Sequence, residues 1–334
     1  MNSPQVSTSF SSRFSCRKFH AILLLTVLHC LFPVASAGYN LKDNYVGNDF
    51  FGGWKWETFD DPTHGRVNYV DMQTAKSKNL SYASGDMFVM RADSTNKVDT
   101  SSRGRDSVRI TSNNAYSDSA VVLELSHMPT GCATWPAFWT VTTGQWPAGG
   151  EIDILEGVND GSVNQATLHT TADCAMTDGR KQTGTSSNNN CAVSGSDNTG
   201  CGVQFSKQNT YGKGLNDNKG GWYAMTRSSK DGISVYFWGR NDASVPQDVK
   251  SGAKSVDPTN WGEPEAYFPG TSCDMASHFQ EHNIVFDLTF CGDWAGAAYG
   301  SGGCTGSCDD VVNNNPEQFT EAYWEVNAVR VYTP

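Results

Sequence analysis

Hydrophobic residues along the chain recur in short segments of alternating or β-branched character. Gly-rich turn signals such as VNDGS, SSKDGI and KGG separate these segments. Short alternating segments divided by turns are typical of an antiparallel sandwich or barrel, so we expect an all-β chain. The predicted strands are DMFVMRAD, DSVRITS, AVVLELSHM, PAFWTVTT, EIDILE, NQATLHT, GISVYFWGR, HNIVFDLTF and NAVRVYTP.

Two stretches depart from this pattern. SCDMASHFQEH is the only segment with a convincing helical pattern, and it is short. The stretch from Cys174 to Cys201 has no periodicity and contains three cysteines. Long loops without regular structure are uncommon in compact domains unless something holds them. We therefore expect a long ordered loop that its three cysteines tie down.

Residues 1–37 have the pattern of a secretory signal peptide. A basic lead (Arg13, Arg17, Lys18) precedes the apolar run AILLLTVLHCLF and a small-residue site that ends at Ala37. The apolar run is short for a bilayer span, so we expect cleavage after Ala37, with a retained signal anchor as the alternative. The remaining chain, 38–334, is then expected outside the cell and free of the membrane.

Charge and length narrow the expected partners. The formal charge is -11, and removing residues 1–37 takes away three cations and no anions, which gives -14. Such acidity argues against nucleic acid or an anionic membrane as partner. Without a linker or repeat, 38–334 suits one monomeric domain better than two small ones.

Cysteine usage agrees with export. Eight cysteines remain after residue 37, and an even number in an exported chain indicates disulfides. Zinc is the alternative, although the chain has no CxxC pair, and the pairing stays open. Asn79, in Asn-Leu-Ser, is a candidate N-glycosylation acceptor.

The stretch GEIDILEG carries three carboxylates within six residues. On a strand, Glu151 and Asp153 share one face, while Glu156 falls on the opposite, apolar face. A buried unpaired carboxylate is costly. We therefore predict a β-bulge near Ile154 and Leu155, which returns Glu156 to the face of the other two acids.

The spacing of these acids predicts chemistry. Residues four positions apart in step have Cα atoms about 13 Å apart. Two glutamates leaning together could reach the roughly 5 Å carboxyl separation of retaining glycosidases. Asp153 between them could hold a proton and keep the two glutamate pKa values apart. A solvated acidic face and a calcium site are the alternatives.

The neighbouring segments strengthen the catalytic interpretation. A hairpin turning about Asn159 and Asp160 would place His169 opposite residues near Glu151, with one register step allowed for the bulge. Just upstream, TWPAFWTVTTGQWPAGG supplies tryptophans whose flat rings suit sugar C–H faces, which indicates a polysaccharide substrate. We expect Phe138 and Trp135 in the core, whereas Trp146 lies in a Gly/Pro turn and is better suited to a cleft.

The chain resembles family 16 glycoside hydrolases in four motifs, GEIDILEG, WPAFW, CGDWAG and WEVNAVRVY. DDPTHGRVNYV and FPGTSCDMASHF narrow the resemblance to the fungal laminarinase-type endo-1,3(4)-β-glucanases, over essentially all of 38–334. The resemblance implies a concanavalin-like β-jelly-roll sandwich with a cleft on its concave sheet. It also implies hydrolysis of internal β-1,3 or mixed β-1,3/1,4 glucan bonds with retention.

The resemblance also assigns roles to residues. Glu151 would be the nucleophile, Glu156 the acid/base and Asp153 the assistant of the nucleophile. Broader family members have Glu-Trp where this chain has Thr226-Arg227, so cleft contacts of distant relatives do not transfer directly. The implied substrate contacts are Trp139, Trp146 and Trp294 for stacking, His169 near the cleaved bond, and Asn68 and Arg109 for hydroxyls.

This chemistry needs no metal or organic cofactor, although a structural Ca²⁺ stays open. A glucan transglycosylase would use the same residues. A glucan-binding lectin could share the fold, but it would have no need for both glutamates and the aspartate between them. A serine hydrolase is poorly supported, since the sequence has no GxSxG motif.

Overall fold

The computed structural model describes Met1 and residues 38–195 and 197–334, so the predicted signal peptide, apart from Met1, lies outside the described residues. Alternating sequence becomes strand over most of the rest. The strands are β1 (Tyr39–Tyr45), β2 (Trp54–Trp56), β3 (Val67–Tyr69), β4 (Ser81–Ser84), β5 (Met87–Arg91), β6 (Arg105–Ser107), β7 (Ile110–Tyr116), β8 (Ser119–His127), β9 (Thr134–Val141), β10 (Glu151–Glu156), β11 (Gln165–His169), β12 (Thr185–Ser186), β13 (Cys201–Gln204), β14 (Gly221–Ser228), β15 (Gly232–Gly239), β16 (Ser255–Val256), β17 (Ala266–Phe268), β18 (His282–Phe290) and β19 (Tyr323–Thr333).

The strands form two large antiparallel sheets. The first sheet has the order β16-β1-β19-β8-β14-β15-β17, with β5 paired to β19 and β4 to β5. The second sheet has the order β12-β13-β11-β10-β9-β18-β7-β2. The short strands β3 and β6 form a separate parallel pair. The expected all-β sandwich is confirmed.

One hydrophobic core joins residues of both sheets. Phe138 is fully buried, as predicted. Burying each large apolar side chain contributes roughly 1.5–3 kcal/mol, so this shared core holds the layers together. Its members include Leu123, Met225 and Val329 from the first sheet, and Phe138, Ile152 and Phe286 from the second.

Helices are short and lie between strands. They are α1 (Asp49–Gly53), α2 (Met72–Ser77), α3 (Gly212–Asp217), α4 (Gln247–Ser251), α5 (Met275–His278) and α6 (Cys308–Asn314). The sequence pattern identified only α5. The others are too short to show a 3.6-residue period, and local caps define some of them, as where Asp71 accepts from the Thr74 backbone N–H.

One predicted strand is also divided. DSVRITS contributes to both β6 and β7, which belong to different sheets. The break places Arg109 between the two strands. Alternation continues across this break in the sequence, which is why the pattern did not show it.

All eight cysteines from residue 38 onward form disulfides, as predicted. The pairs are Cys132–Cys304, Cys174–Cys273, Cys191–Cys201 and Cys291–Cys308. The zinc alternative is thereby wrong. Two of these bonds tie down the loop from Cys174 to Cys201, which confirms its predicted anchoring.

Asn79 is exposed, and its glycosylation stays a prediction. Among the described helices, none has the length and apolar character needed to cross a membrane.

Candidate active site

A cleft of about 880 Å³ lies on the second sheet. Alternation along β9, β10, β11 and β18 sends every second side chain into it. The cleft-facing side chains from these strands are Trp135, Ala137 and Trp139; Glu151, Asp153 and Glu156; Gln165, Thr167 and His169; and Asp287 and Thr289.

The three acids of β10 face this cleft because the strand contains the predicted bulge. The register with β11 pairs Asp153 with Thr167 and then Glu156 with Gln165, so the step on β10 is one residue longer than on β11. Register also shifts against β9 between Asp153 and Leu155. Ile154 and Leu155 are both fully buried, and Glu156 returns to the cleft. The bulge prediction is confirmed.

His169 completes a tight cluster with two of the acids. It pairs with Glu151 across the β10–β11 register, which lies within the single register step that the prediction allowed. Its Nε2 lies 3.3 Å from Asp153 Oδ2 and 3.9 Å from Glu151 Oε1. Ligand atoms of these three residues lie within 4.8 Å of one another, so they could also approach a metal ion. Their arrangement alone fits acid/base chemistry as well as a cation site.

Each glutamate receives a hydrogen bond from a different tryptophan. Trp146 Nε1 donates to Glu151 Oε2, and Trp135 Nε1 donates to Glu156 Oε1, both at 2.8 Å. The expectation that Trp135 belongs to the core is wrong, because its β9 position shares the cleft face with Trp139. Trp135 also packs edge-on against Trp294, with 5.6 Å between ring centroids.

Burial perturbs the acids of the cleft. Burial, followed by repulsion from the neighbouring Asp153 carboxylate, raises the pKa of both Glu151 and Glu156 to about 8. Burial, followed by repulsion from Asp287, raises the pKa of Asp153 well above its usual range. The cluster therefore retains protons near neutral pH, as an acid/base site requires.

A buried ion pair borders this cluster. Arg109 Nη1 lies 3.0 Å from Asp287 Oδ2, and the guanidinium lies 5.0 Å from the ring centroids of both Phe59 and Trp139. Burial raises the pKa of Asp287 to about 7, although Arg109 opposes the shift. Sequence reasoning missed Asp287. The signal was present, because HNIVFDLTF places a single acid within an apolar strand.

Most of the predicted contacts meet in the cleft. Trp139, Trp146, His169, Trp294 and Arg109 all line it. Asn68 is not among the described lining residues, and its Nδ2 donates to Asp106 Oδ1 at 2.6 Å.

Some lining residues were not predicted. Asp61, whose Oδ2 accepts from Thr289 Oγ1 at 2.6 Å, lies in the motif DDPTHGRVNYV, but sequence reasoning assigned it no role. The loop from Cys174 to Cys201 contributes further lining residues that no sequence pattern marked, namely Ser187, Asn188, Asn198 and Thr199.

The family model for the XgeA-like catalytic GH16 domain matches residues 54–332. The chain belongs to glycoside hydrolase family 16. This finding confirms the resemblance carried by the acidic strand and its tryptophans. Members of family 16 among the structural neighbours share the jelly-roll sandwich described above.

Fungal relatives of this family 16 chain carry glycosidase names. A probable glycosidase of Schizosaccharomyces pombe is 45% identical over 298 residues, which are 88% of this chain and 69% of the relative. A probable endo-1,3(4)-beta-glucanase of Aspergillus niger is 37% identical over 318 residues, which are 92% of this chain but only 42% of the relative. The chain thus spans less than half the length of the Aspergillus protein.

Two solved family 16 structures are similar over nearly the same region. Laminarinase 16A from Phanerochaete chrysosporium, with beta-glucans in donor and acceptor sites, is 53% identical with a TM-score of 0.87, covering 89% of this chain and 100% of that one. An elongating beta-1,3-glucosyltransferase is 38% identical with a TM-score of 0.82, covering 88% and 100%.

Proposed function

We propose that this protein is an exported endo-β-glucanase that hydrolyses internal β-1,3 or mixed β-1,3/1,4 bonds with retention of configuration. One observation carries the proposal: Glu151 and Glu156 lie on the same face of β10, inside a tryptophan-lined cleft. Glycosidases use a pair of carboxyl groups that flank the bond to be cleaved. The names of the fungal relatives support the glucan substrate.

In the first step Glu156 acts as acid and Glu151 as nucleophile. A Glu151 oxygen forms a bond to the anomeric carbon while the glycosidic C–O bond breaks, and the leaving oxygen takes the proton of Glu156. Because the Trp135 indole occupies Oε1 of Glu156, the proton is carried on Oε2. His169 and the Trp146 indole lower the pKa of Glu151 against the effect of burial, and His169 and the Trp135 indole do the same for Glu156, so the two roles are assigned from the family motif.

In the second step the roles of Glu156 reverse. Its carboxylate takes a proton from water, and the water oxygen displaces Glu151 from the anomeric carbon. Two inversions give net retention. Asp153, buried beside the nucleophile with a raised pKa, keeps a proton in the cluster and limits the accumulated negative charge.

The cleft around these groups suits a glucan chain. Trp139, Trp146 and Trp294 present aromatic surface to sugar C–H faces. Arg109, Asp287 and the polar side chains of the loop from Cys174 to Cys201 offer donors and acceptors for hydroxyls. The binding of one polymer along this cleft requires neither nucleic acid nor membrane partners.

Export is a separate part of the proposal, with its own evidence and its own test. The pattern of residues 1–37 and four disulfides in the described chain support it. N-terminal sequencing of protein recovered from the culture medium should begin at Gly38, the start of the proposed catalytic domain 38–334. A sequence that begins at Met1 would contradict cleavage.

Proton NMR of the earliest products tests the reaction. With a soluble β-1,3-glucan and a mixed-linkage glucan, we expect the β-anomer to appear first and the α-anomer to follow by mutarotation. An initial α-anomer would mean inversion and would remove the nucleophile role of Glu151. The absence of product from both glucans would leave a binding protein or another polysaccharide as the explanation.

Transglycosylation is the second candidate function. The similarity to an elongating beta-1,3-glucosyltransferase favours it. The same glycosyl-enzyme would then be intercepted by a sugar hydroxyl in place of water. Products longer than the substrate at high oligosaccharide concentration would show this activity, and exclusively shorter products would exclude it.

The two indole donors give a test of the assigned roles. Each N–H stabilises a carboxylate, so its removal raises the pKa of that glutamate. In Trp146→Phe the acid limb of the pH profile of kcat/KM should move to higher pH, because Glu151 must be ionised. In Trp135→Phe the alkaline limb should move to higher pH, because Glu156 must be protonated. We expect shifts of about 0.5–1 pH unit.

Trp294→Phe is the control for this pair of variants. Trp294 lines the cleft, and within the described residues it makes no hydrogen bond to either glutamate. Its profile should keep the wild-type limbs. Movement of the opposite limb in Trp135→Phe or Trp146→Phe would exchange the roles of the two glutamates.

A further inference from the structure

The bulge in β10 leaves backbone groups without regular ladder partners, and Asn164 supplies them. Buried backbone N–H and C=O groups need such partners. Asn164 Nδ2 donates to the Ile154 carbonyl at 2.8 Å, and Asn164 Oδ1 accepts from the Glu156 N–H at 2.9 Å. One side chain therefore brackets Leu155, the residue between these two groups.

Asn164 is itself held rigidly. It is fully buried just before β11. Its backbone N–H donates to Thr210 Oγ1 at 2.8 Å, and its carbonyl accepts from the Phe205 N–H at 2.9 Å. Main-chain and side-chain polar groups of Asn164 are thus all engaged, so the bracket is anchored to a separate part of the chain.

Apolar packing cannot replace this bracket. Ile154 and Leu155 are both buried in the core, but hydrophobic contact is non-directional and does not determine how a peptide group is turned. The two hydrogen bonds are directional, and one of them ends on the backbone of Glu156. The orientation of the strand at Glu156 therefore depends on Asn164.

We propose that Asn164 is a positioning residue, which acts by holding the bulge in the register that aims Glu156 at the scissile oxygen. This inference rests on the proposed function, in which Glu156 is the acid/base. A displacement of about 1 Å at a catalytic group can cost about 10²-fold in rate. Loss of the bracket should therefore reduce proton transfer more than glucan binding.

The experiment compares leaving groups in Asn164→Ala and Asn164→Asp. Bonds to a poor leaving group need the proton of Glu156, whereas 2,4-dinitrophenolate departs without it. With soluble β-1,3-glucan we expect kcat to fall about 10²-fold with little change in KM. With a 2,4-dinitrophenyl β-laminarioligosaccharide we expect kcat/KM to fall less than about tenfold, since acid catalysis contributes little there.

Asn216 offers a matched control. Its side chain brackets the backbone of Met128 in the same way, with Oδ1 accepting from the Met128 N–H and Nδ2 donating to the Met128 carbonyl, both at 2.9 Å. Asn216 does not line the described cleft. Asn216→Ala should lose stability without any dependence of activity on the leaving group.

The outcomes separate this inference from the proposed function. The positioning role would be overturned if both Asn164 variants had normal kcat on glucan. It would also be overturned if kcat/KM fell by the same factor on glucan and on the 2,4-dinitrophenyl glycoside. If only Asn164→Ala fails to fold, Asn164→Asp decides by the same comparison; if neither folds, Asn164 serves the fold and the proposal fails. Full activity in Glu156→Gln would instead overturn the acid/base assignment itself.

Discussion

Replacing Glu151 or Glu156 by glutamine is expected to lower kcat on β-1,3-glucan by at least about 10³-fold, as losses of nucleophiles and acid/base groups do in other hydrolases. Glutamine keeps the size of the side chain and removes both the anionic oxygen and the acidic proton. Glu151→Gln cannot form the glycosyl-enzyme, and Glu156→Gln cannot protonate the leaving sugar. Initial rates of reducing-sugar release measure both.

Binding and folding should survive these replacements. The aromatic surfaces of the cleft remain, so glucan affinity measured by calorimetry should stay within about threefold of the wild type. Glu263→Gln, which changes an exposed glutamate, is the matched control and should keep full activity. Robust turnover in either cleft variant would overturn the catalytic assignment.

Stability should change in the opposite direction to activity. Burial raises the pKa of these glutamates from 4.5 to about 8, so between these values the folded state binds more protons than the unfolded state. The stability of the wild type therefore falls as pH rises from about 4.5 to 8. Glutamine removes this loss, so we expect a gain of about 0.5–2 kcal/mol at pH 8 and little difference at pH 4. Thermal melts at the two pH values measure it.

Deleting Leu155 is the second change with a large expected effect. The deletion removes the extra residue of the bulge, so a regular two-residue step would pair Glu156 with Gln165, and the backbone would lose the local bend and twist that the bulge gives it. Glu156 would stay on the cleft face but lose the Trp135 indole and the Asn164 bracket. We expect kcat on glucan to fall by at least about 10²-fold.

Leu155→Ala separates the bulge from the packing of its side chain. Leu155 is fully buried, so its truncation should cost about 2–5 kcal/mol of the free energy of unfolding. The extra backbone residue remains, and kcat well below the melting temperature should stay close to wild type. If the deletion variant were as active as Leu155→Ala, the bulge would have no catalytic importance.

Local sequence was sufficient wherever one strand's alternation decided the answer. Parity alone showed that Glu156 was out of step with Glu151, and the cost of burying its charge indicated a bulge, which the register with β9 and β11 contains. The short turn after Glu156 likewise placed His169 opposite residues near Glu151, and the structure pairs it with Glu151 itself. Disulfide formation followed from the number of cysteines, but their pairing did not.

Long-range pairing decided the rest. Which face of β9 looks into the cleft depends on its pairing with β10 and β18. Alternation alone puts Trp135 on the face of Trp139 and opposite Phe138, so the core expectation for Trp135 was an error that the parity of the strand could have prevented. Asp287 reaches the acidic cluster from a strand more than a hundred residues later, and Asn164 meets the bulge only because β11 folds back on β10. Alternation is a property of one strand, which the sequence by itself determined. The identity of each strand's neighbours depends on burial of the whole core, and only the tertiary structure determined it.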